Sequence, residues 1–163
     1  MDAFSGPGKE GLFPPFPPGH RADKTSFKMK EPLPSAKPQR SLHILCIDDD
    51  EQILEMMKAC LAHYGHQVRT ASGGKYGLEL FCTAILKSEP YDAVITDLGM
   101  PDIDGYQVSW AIKIESPNTP VILLTAWGAN VKDDVAISST VNAVVSKPPQ
   151  IQQLNDLLLR LAG

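Results

Sequence analysis

Residues 94–105 read VITDLGMPDIDG: an apolar run that closes on one carboxylate, Asp97, and is followed at once by glycine, proline and two further aspartates. A short apolar run bounded by turn residues predicts a strand buried on both faces, here Ala93–Thr96, with Asp97 at its carboxyl end. The same texture recurs on either side. In ILCIDDDE (44–51) the strand Ile44–Ile47 ends in Asp48, Asp49 and Asp50. In VILLTAW (121–127) the strand Val121–Leu124 ends at Thr125. In VVSKPP (144–149) the strand Ala143–Val145 ends at Lys147 and Pro148. Gln67–Ala71 supplies a fifth strand.

Helical patterns fill the gaps. Asp50 is a fitting N-cap for a helix over Glu51–Tyr64, with Ile53, Leu54, Met57, Leu61 and Tyr64 on one face and Gly65 as its stop. Gly73–Gly74 opens a helix to about Lys87 that buries Leu80, Phe81 and Ala84. Asp104–Glu115 is a third. Val131–Ser138 is a weak candidate, and Gln150–Leu161 is amphipathic on Ile151, Leu154, Leu157, Leu158 and Leu161. Five buried strands alternating with five helices predict an α/β fold with a parallel sheet covered on both faces. In such sheets the reactive crevice lies at the carboxyl ends of the strands.

Before Ser41 the composition differs. Eight of the fourteen prolines fall in residues 1–40, so this stretch reads as a disordered, extended tail ahead of a domain over 41–163. Its GLFPPFPPGH has the make-up of either a spacer or a polyproline ligand. Residues 1–40 carry seven of the fifteen Lys/Arg and four of the nineteen Asp/Glu, a balance of +3; the remaining eight against fifteen leave −7 for the domain. An acidic domain is a poor match to nucleic acid. No apolar run is long enough for a membrane span, and the N-terminus lacks the pattern of a secretory signal. Cys46, Cys60 and Cys82 are odd in number and without metal spacing, and read as buried reduced thiols in a cytoplasmic protein.

The chemistry sits at the strand ends. Taken singly, each residue has an ordinary use: Asp50 and Thr125 as caps, Asp48 and Asp49 as helix-start acids, Lys147 as a surface charge. Together they bring carboxylates, a hydroxyl and an ammonium to one crevice. Crowded carboxylates need a cation, and hard oxygen donors suit Mg²⁺ shared with a phosphate. A carboxylate can attack phosphorus to form an aspartyl phosphate, helped by positive charge on the equatorial oxygens.

These four motifs together resemble the response-regulator receiver family, whose resemblance covers residues 42–163. It implies a flavodoxin-like doubly wound sheet in the order 2-1-3-4-5, an order taken from the fold rather than from spacing. It also implies Asp97 as phosphoacceptor, Asp49 as direct Mg²⁺ ligand, Asp48 as the neighbouring acid acting mostly through water, and the Gly99 carbonyl as a third protein ligand. Thr125 and Lys147 match the phosphoryl-stabilising hydroxyl and lysine, and Met100, Pro101 and Gly105 match the loop after the acceptor. A histidine kinase or phosphotransfer domain is the implied donor, and a monomer is expected. The family's aromatic three residues before the lysine is Val144 here. Trp127 and Gly99 stand at places that tune phosphate loss, so Thr125, Trp127 and Val144 are the switch candidates. The whole reads as a signalling phosphoacceptor rather than a turnover enzyme, either stand-alone or the C-terminal receiver of a hybrid sensor kinase.

Two other functions fit less well. A flavodoxin-like module for a nucleotide or flavin needs a phosphate loop after the first strand, where three aspartates would repel it. An aspartyl-phosphate phosphatase of the D-x-D type would use Asp48 and Asp50, leaving Asp97 without a role.

Overall fold

Each of the five expected strands is present, extended by about a residue beyond the pattern. The computed structural model of the protein describes residues 40–126 and 139–163. The tail 1–39, Trp127 and the expected helix Val131–Ser138 lie outside the described residues. The elements in chain order are β1 (His43–Asp48), α1 (Glu51–His63), β2 (Gln67–Ser72), α2 (Gly74–Leu86), β3 (Ala93–Asp97), α3 (Gly105–Glu115), β4 (Val121–Thr125), β5 (Ala143–Ser146) and α4 (Ile151–Leu161). Four helices are thus described where five were expected.

All strand pairs are parallel, in the order β2-β1-β3-β4-β5. The chain direction across the sheet reverses at β1, so the crevice between β1 and β3 is the topological switch point. Register aligns the strand ends there: Ile47 pairs with Thr96, Asp97 with Leu124, and Thr125 with Ser146.

Alternation within each strand feeds two cores. Ile44, Cys46, Ile95, Ile122 and Leu124 face Leu54, Met57 and Leu61 of α1 and Leu154 and Leu158 of α4. Leu45, Ile47, Val94 and Val121 face Phe81 and Ala84 of α2 and Val108 and Ile112 of α3. Because both faces are covered, β1, β3 and β4 are near-continuous apolar runs buried along their length, whereas the edge strands β2 and β5 are only partly buried.

The start of α1 follows the expected capping. Asp50 accepts from the backbone N–H groups of Gln52 and Ile53. Asp104 and Gln107 form a reciprocal capping box at α3. Buried His66 accepts the Leu42 N–H at Nδ1 (3.1 Å), so Nε2 carries the proton donated to Oδ1 of Asn155 at 2.7 Å.

The cysteine expectation needs correction. All three thiols are free, but only Cys46 is buried; Cys60 is intermediate and Cys82 exposed. The core face of α2 runs through Gly77, Phe81 and Ala84, and Cys82 lies one step outward from it. Leu80 is likewise only partly buried at the core edge. No helix among the described residues is long and apolar enough to cross a membrane.

Candidate functional site

Three strand ends supply the charged centre. Asp48 is the last residue of β1, Asp97 the last of β3, and Lys147 follows directly on β5. The Lys147 ammonium lies 2.7 Å from Oδ2 of Asp48 and 2.8 Å from Oδ1 of Asp97. Both carboxylates are nearly buried. The second oxygen of Asp48 accepts the Asp50 N–H at 2.9 Å. Asp49 is exposed at the lip, and Asp48, Asp49 and Asp97 each offer an oxygen within 4.8 Å of the others.

Beside this centre is a crevice of about 250 Å³ lined by Asp97, Leu98, Gly99, Thr125, Ala126 and Lys147. Thr125 is buried at the end of β4. Gly105 holds the loop after Asp97 against the sheet: its N–H donates to the Leu98 carbonyl at 3.1 Å. A Cβ on Gly105 would collide with the Asp97 carbonyl and the Leu123 side chain.

The electrostatics are unbalanced. Burial pushes the Asp48 carboxyl above the usual carboxylate range, although Lys147 and the Asp50 N–H pull it down; Asp97 adds a smaller push upward. Burial alone would lower Lys147, but its hydrogen bonds and charge interactions with Asp48 and Asp97 prevail and raise it. The lysine is therefore held charged, while Asp48 carries its charge at a cost. One ammonium is too little for three acids. The donor set fits a hard divalent cation: three carboxylates converge, with no Cys or His among them. Next to the site, burial drives the Cys46 thiol to about 12, with the Asp48 charge adding to it, so it is no nucleophile.

The sequence-expected residues Asp48, Asp49, Asp97, Gly99, Thr125 and Lys147 thus meet in one place. Asp50 does not join them, because its carboxylate is turned into the α1 cap. The D-x-D reading of Asp48 and Asp50 therefore has no paired site. Val144 lies on β5, paired with Leu123, and is not among the residues that line the crevice. Trp127 is outside the described residues.

Residues 44–159 match the model of the response regulator receiver domain. The chain belongs to the response regulator receiver family. The transcriptional regulatory protein GlrR of Escherichia coli is 36% identical over 121 residues, 71% of this chain and 26% of that protein. A response regulator receiver domain protein from Clostridium thermocellum has a TM-score of 0.66 at 32% identity, covering 74% of this chain and 93% of that one. TrrA, a response regulator of Thermotoga maritima solved in complex with Mg²⁺-BeF, has a TM-score of 0.64 at 29% identity over 74% of this chain and 98% of that one. The chain spans only about a quarter of GlrR. As a receiver it is a phosphoacceptor module of two-component signalling, a class that takes phosphate from histidine kinases and binds Mg²⁺ in an acidic pocket.

Proposed function

We propose that Asp97 of this receiver is the phosphoacceptor, and that the domain promotes its own phosphorylation and its own dephosphorylation. The observation that carries this reading is the Lys147 ammonium at 2.8 Å from Asp97 and 2.7 Å from Asp48. A carboxylate oxygen of Asp97 attacks the phosphorus of a phosphohistidine on a kinase or phosphotransfer domain. The new P–O bond forms as the P–N bond breaks, its electron pair returning to the donor imidazole. The crevice beside Asp97 gives room for the phosphoryl group between the attacking oxygen and the leaving nitrogen, as in-line transfer needs.

Lys147 then pairs with a phosphoryl oxygen, and the Thr125 hydroxyl donates to another. Mg²⁺ held by Asp48, Asp49, Asp97 and the Gly99 carbonyl would supply further positive charge against the transferring oxygens. The net −7 of residues 41–163 supports a receiver that does not itself grip nucleic acid, and the free thiols support a reducing, cytoplasmic setting.

Phos-tag electrophoresis and intact mass with acetyl phosphate test the reading. One phosphoryl group should add to the wild type with Mg²⁺ and none with EDTA, and Asp97→Asn should take none. Equal labelling of wild type and Asp97→Asn would overturn the assignment.

A further inference from the structure

The outward side of α2 and α3 carries an apolar stripe where a solvated helix face is normally polar. Leu86 is 86% exposed, Trp110 62%, Ile114 57% and Ile85 36%, and Cys82 is exposed beside them. Cys82 and Leu86 are four apart on α2, as are Trp110 and Ile114 on α3, so each pair forms a stripe along one side of its helix. The Trp110 indole stands between two hollows. One, of about 430 Å³, is lined by Leu78, Ile103, Tyr106 and Gln107. The other, of about 190 Å³, lies towards Phe81, Cys82 and Ile114. This surface is distinct from the carboxylate crevice and has no part in phosphoryl chemistry.

We infer that this face binds a second copy of the same chain. A two-fold interface uses one patch twice, so the patch must carry both the projection and the recess that receives it. Trp110 and its flanking hollows meet that condition. Charge agrees with it. Both helices cross over between parallel strands and so run the same way, with Lys75 at the start and Lys87 at the end of α2, and Asp102 before and Glu115 at the end of α3. A two-fold axis along the groove lays α2 of one copy over α3 of the other, lysine against acid at both ends.

Area sets the strength. Weighting roughly 250 Å² for a tryptophan and roughly 100 Å² for an aliphatic side chain by these exposures gives a patch of about 350 Å² per copy. With about 60% of an interface apolar, two patches imply roughly 1,200 Å² in total, the lower limit for specific association. The dimer is therefore weak and concentration-dependent, in place of the monomer expected from sequence.

Sedimentation velocity of the full chain, from low micromolar to near-millimolar concentration, tests this. The weight-average mass should climb from 17.7 kDa towards twice that value. Trp110→Glu and Leu86→Lys, both at exposed positions, should remain at the monomer mass with an unchanged circular dichroism spectrum. Alkylation of Cys82 should slow as wild-type concentration rises, and should not slow in either variant. A wild type that stays monomeric throughout overturns the inference. So does a dimer that both variants retain, or one that leaves Cys82 alkylation unchanged.

Discussion

Lys147 and Asp97 meet ammonium to carboxylate at 2.8 Å, and the same ammonium reaches Asp48 at 2.7 Å. One cation thus serves two nearly buried anions from different strands. Replacing it by methionine leaves both without their counter-charge. Breaking a buried pair costs about 3–5 kcal/mol, and the 18% exposure of the lysine side chain softens this case to about 2–3 kcal/mol. Lys147→Met should lower the urea midpoint in EDTA, and Mg²⁺ should restore more stability to it than to the wild type. If Mg²⁺ stabilises both equally, the ammonium and the metal do not serve the same carboxylates.

The alkaline limb of stability should report on Tyr91. Its ring stacks on Phe81 at 6.3 Å and tilts over His43 at 4.3 Å. Burial raises its phenol above the ordinary tyrosine value; Arg69 opposes this and Tyr76 adds to it. The folded state therefore keeps its proton where the unfolded chain has lost it. Stability from this group is fully present below about pH 10 and is lost as pH rises through the folded value. Tyr91→Phe should flatten that part of the curve in urea titrations across the alkaline range. An unchanged slope would mean that other groups control the limb.

Asn155 should matter out of proportion to its place in the sequence. It is 1% exposed and accepts from His66, fastening α4 to the turn before β2. Asn155→Ala strands the buried Nε2–H and should cost about 1–3 kcal/mol in urea unfolding. A loss below about 0.5 kcal/mol would show that water replaces the amide.

That contact marks where the sequence stops being legible. The strands and their terminal acids could be read because a two-sided sheet demands continuous apolar runs, and because Asp48, Asp97, Thr125 and Lys147 break those runs at equivalent points. Asn155 could not, since an asparagine between Leu154 and Asp156 looks solvated until His66, 89 residues away, is brought beneath it. Lys113 was missed for the same reason: its ammonium binds the Pro117 and Thr119 carbonyls and Asn142 across a turn that exists only in the fold. The sheet order itself came from family resemblance, because spacing alone allows several right-handed arrangements.

The domain should not need the proline-rich stretch. Arg40 donates to the Ala162 carbonyl at 2.8 Å and pairs with Asp92 at 3.4 Å, closing the base of the sheet from within the described residues. A chain beginning at Arg40 should keep the melting temperature and the rate of phosphorylation by acetyl phosphate. In that shorter chain Arg40→Ala should cost about 1 kcal/mol. A fall of several degrees on removing residues 1–39 alone would show that they contribute to the folded domain.

Phosphorylation of Asp97 has to be felt beyond the crevice without a mobile ring on β5. Ala143 and Val145 pack into the core with α1 and α4, and Val144 does not; alternation turns it to the α3 side of the sheet. It pairs with Leu123, two residues before Thr125. A valine is stiff at χ1 and too short to swing between surface and crevice as a ring would. Movement of Thr125 must then be passed on through the chain that follows it. The described residues resume at Ser139, and the Thr140 hydroxyl lies 3.0 Å from the buried Ser109 hydroxyl on α3. Beryllofluoride with Mg²⁺ should therefore shift the amides from Trp127 to Thr140, and leave those of Leu154 and Leu158, on the opposite core, nearly unchanged. Trp127 fluorescence gives the first readout, in a Trp110→Phe background that removes the second indole. The shift cannot exceed the difference in affinity of the two states for the phosphoryl mimic. Ser109→Ala removes the one hydroxyl contact between Thr140 and α3 among the described bonds, and should alter the size of the fluorescence change without preventing beryllofluoride from binding. If beryllofluoride binds and neither those amides nor that fluorescence responds, the route is wrong, and the receiver holds phosphate without passing the change on.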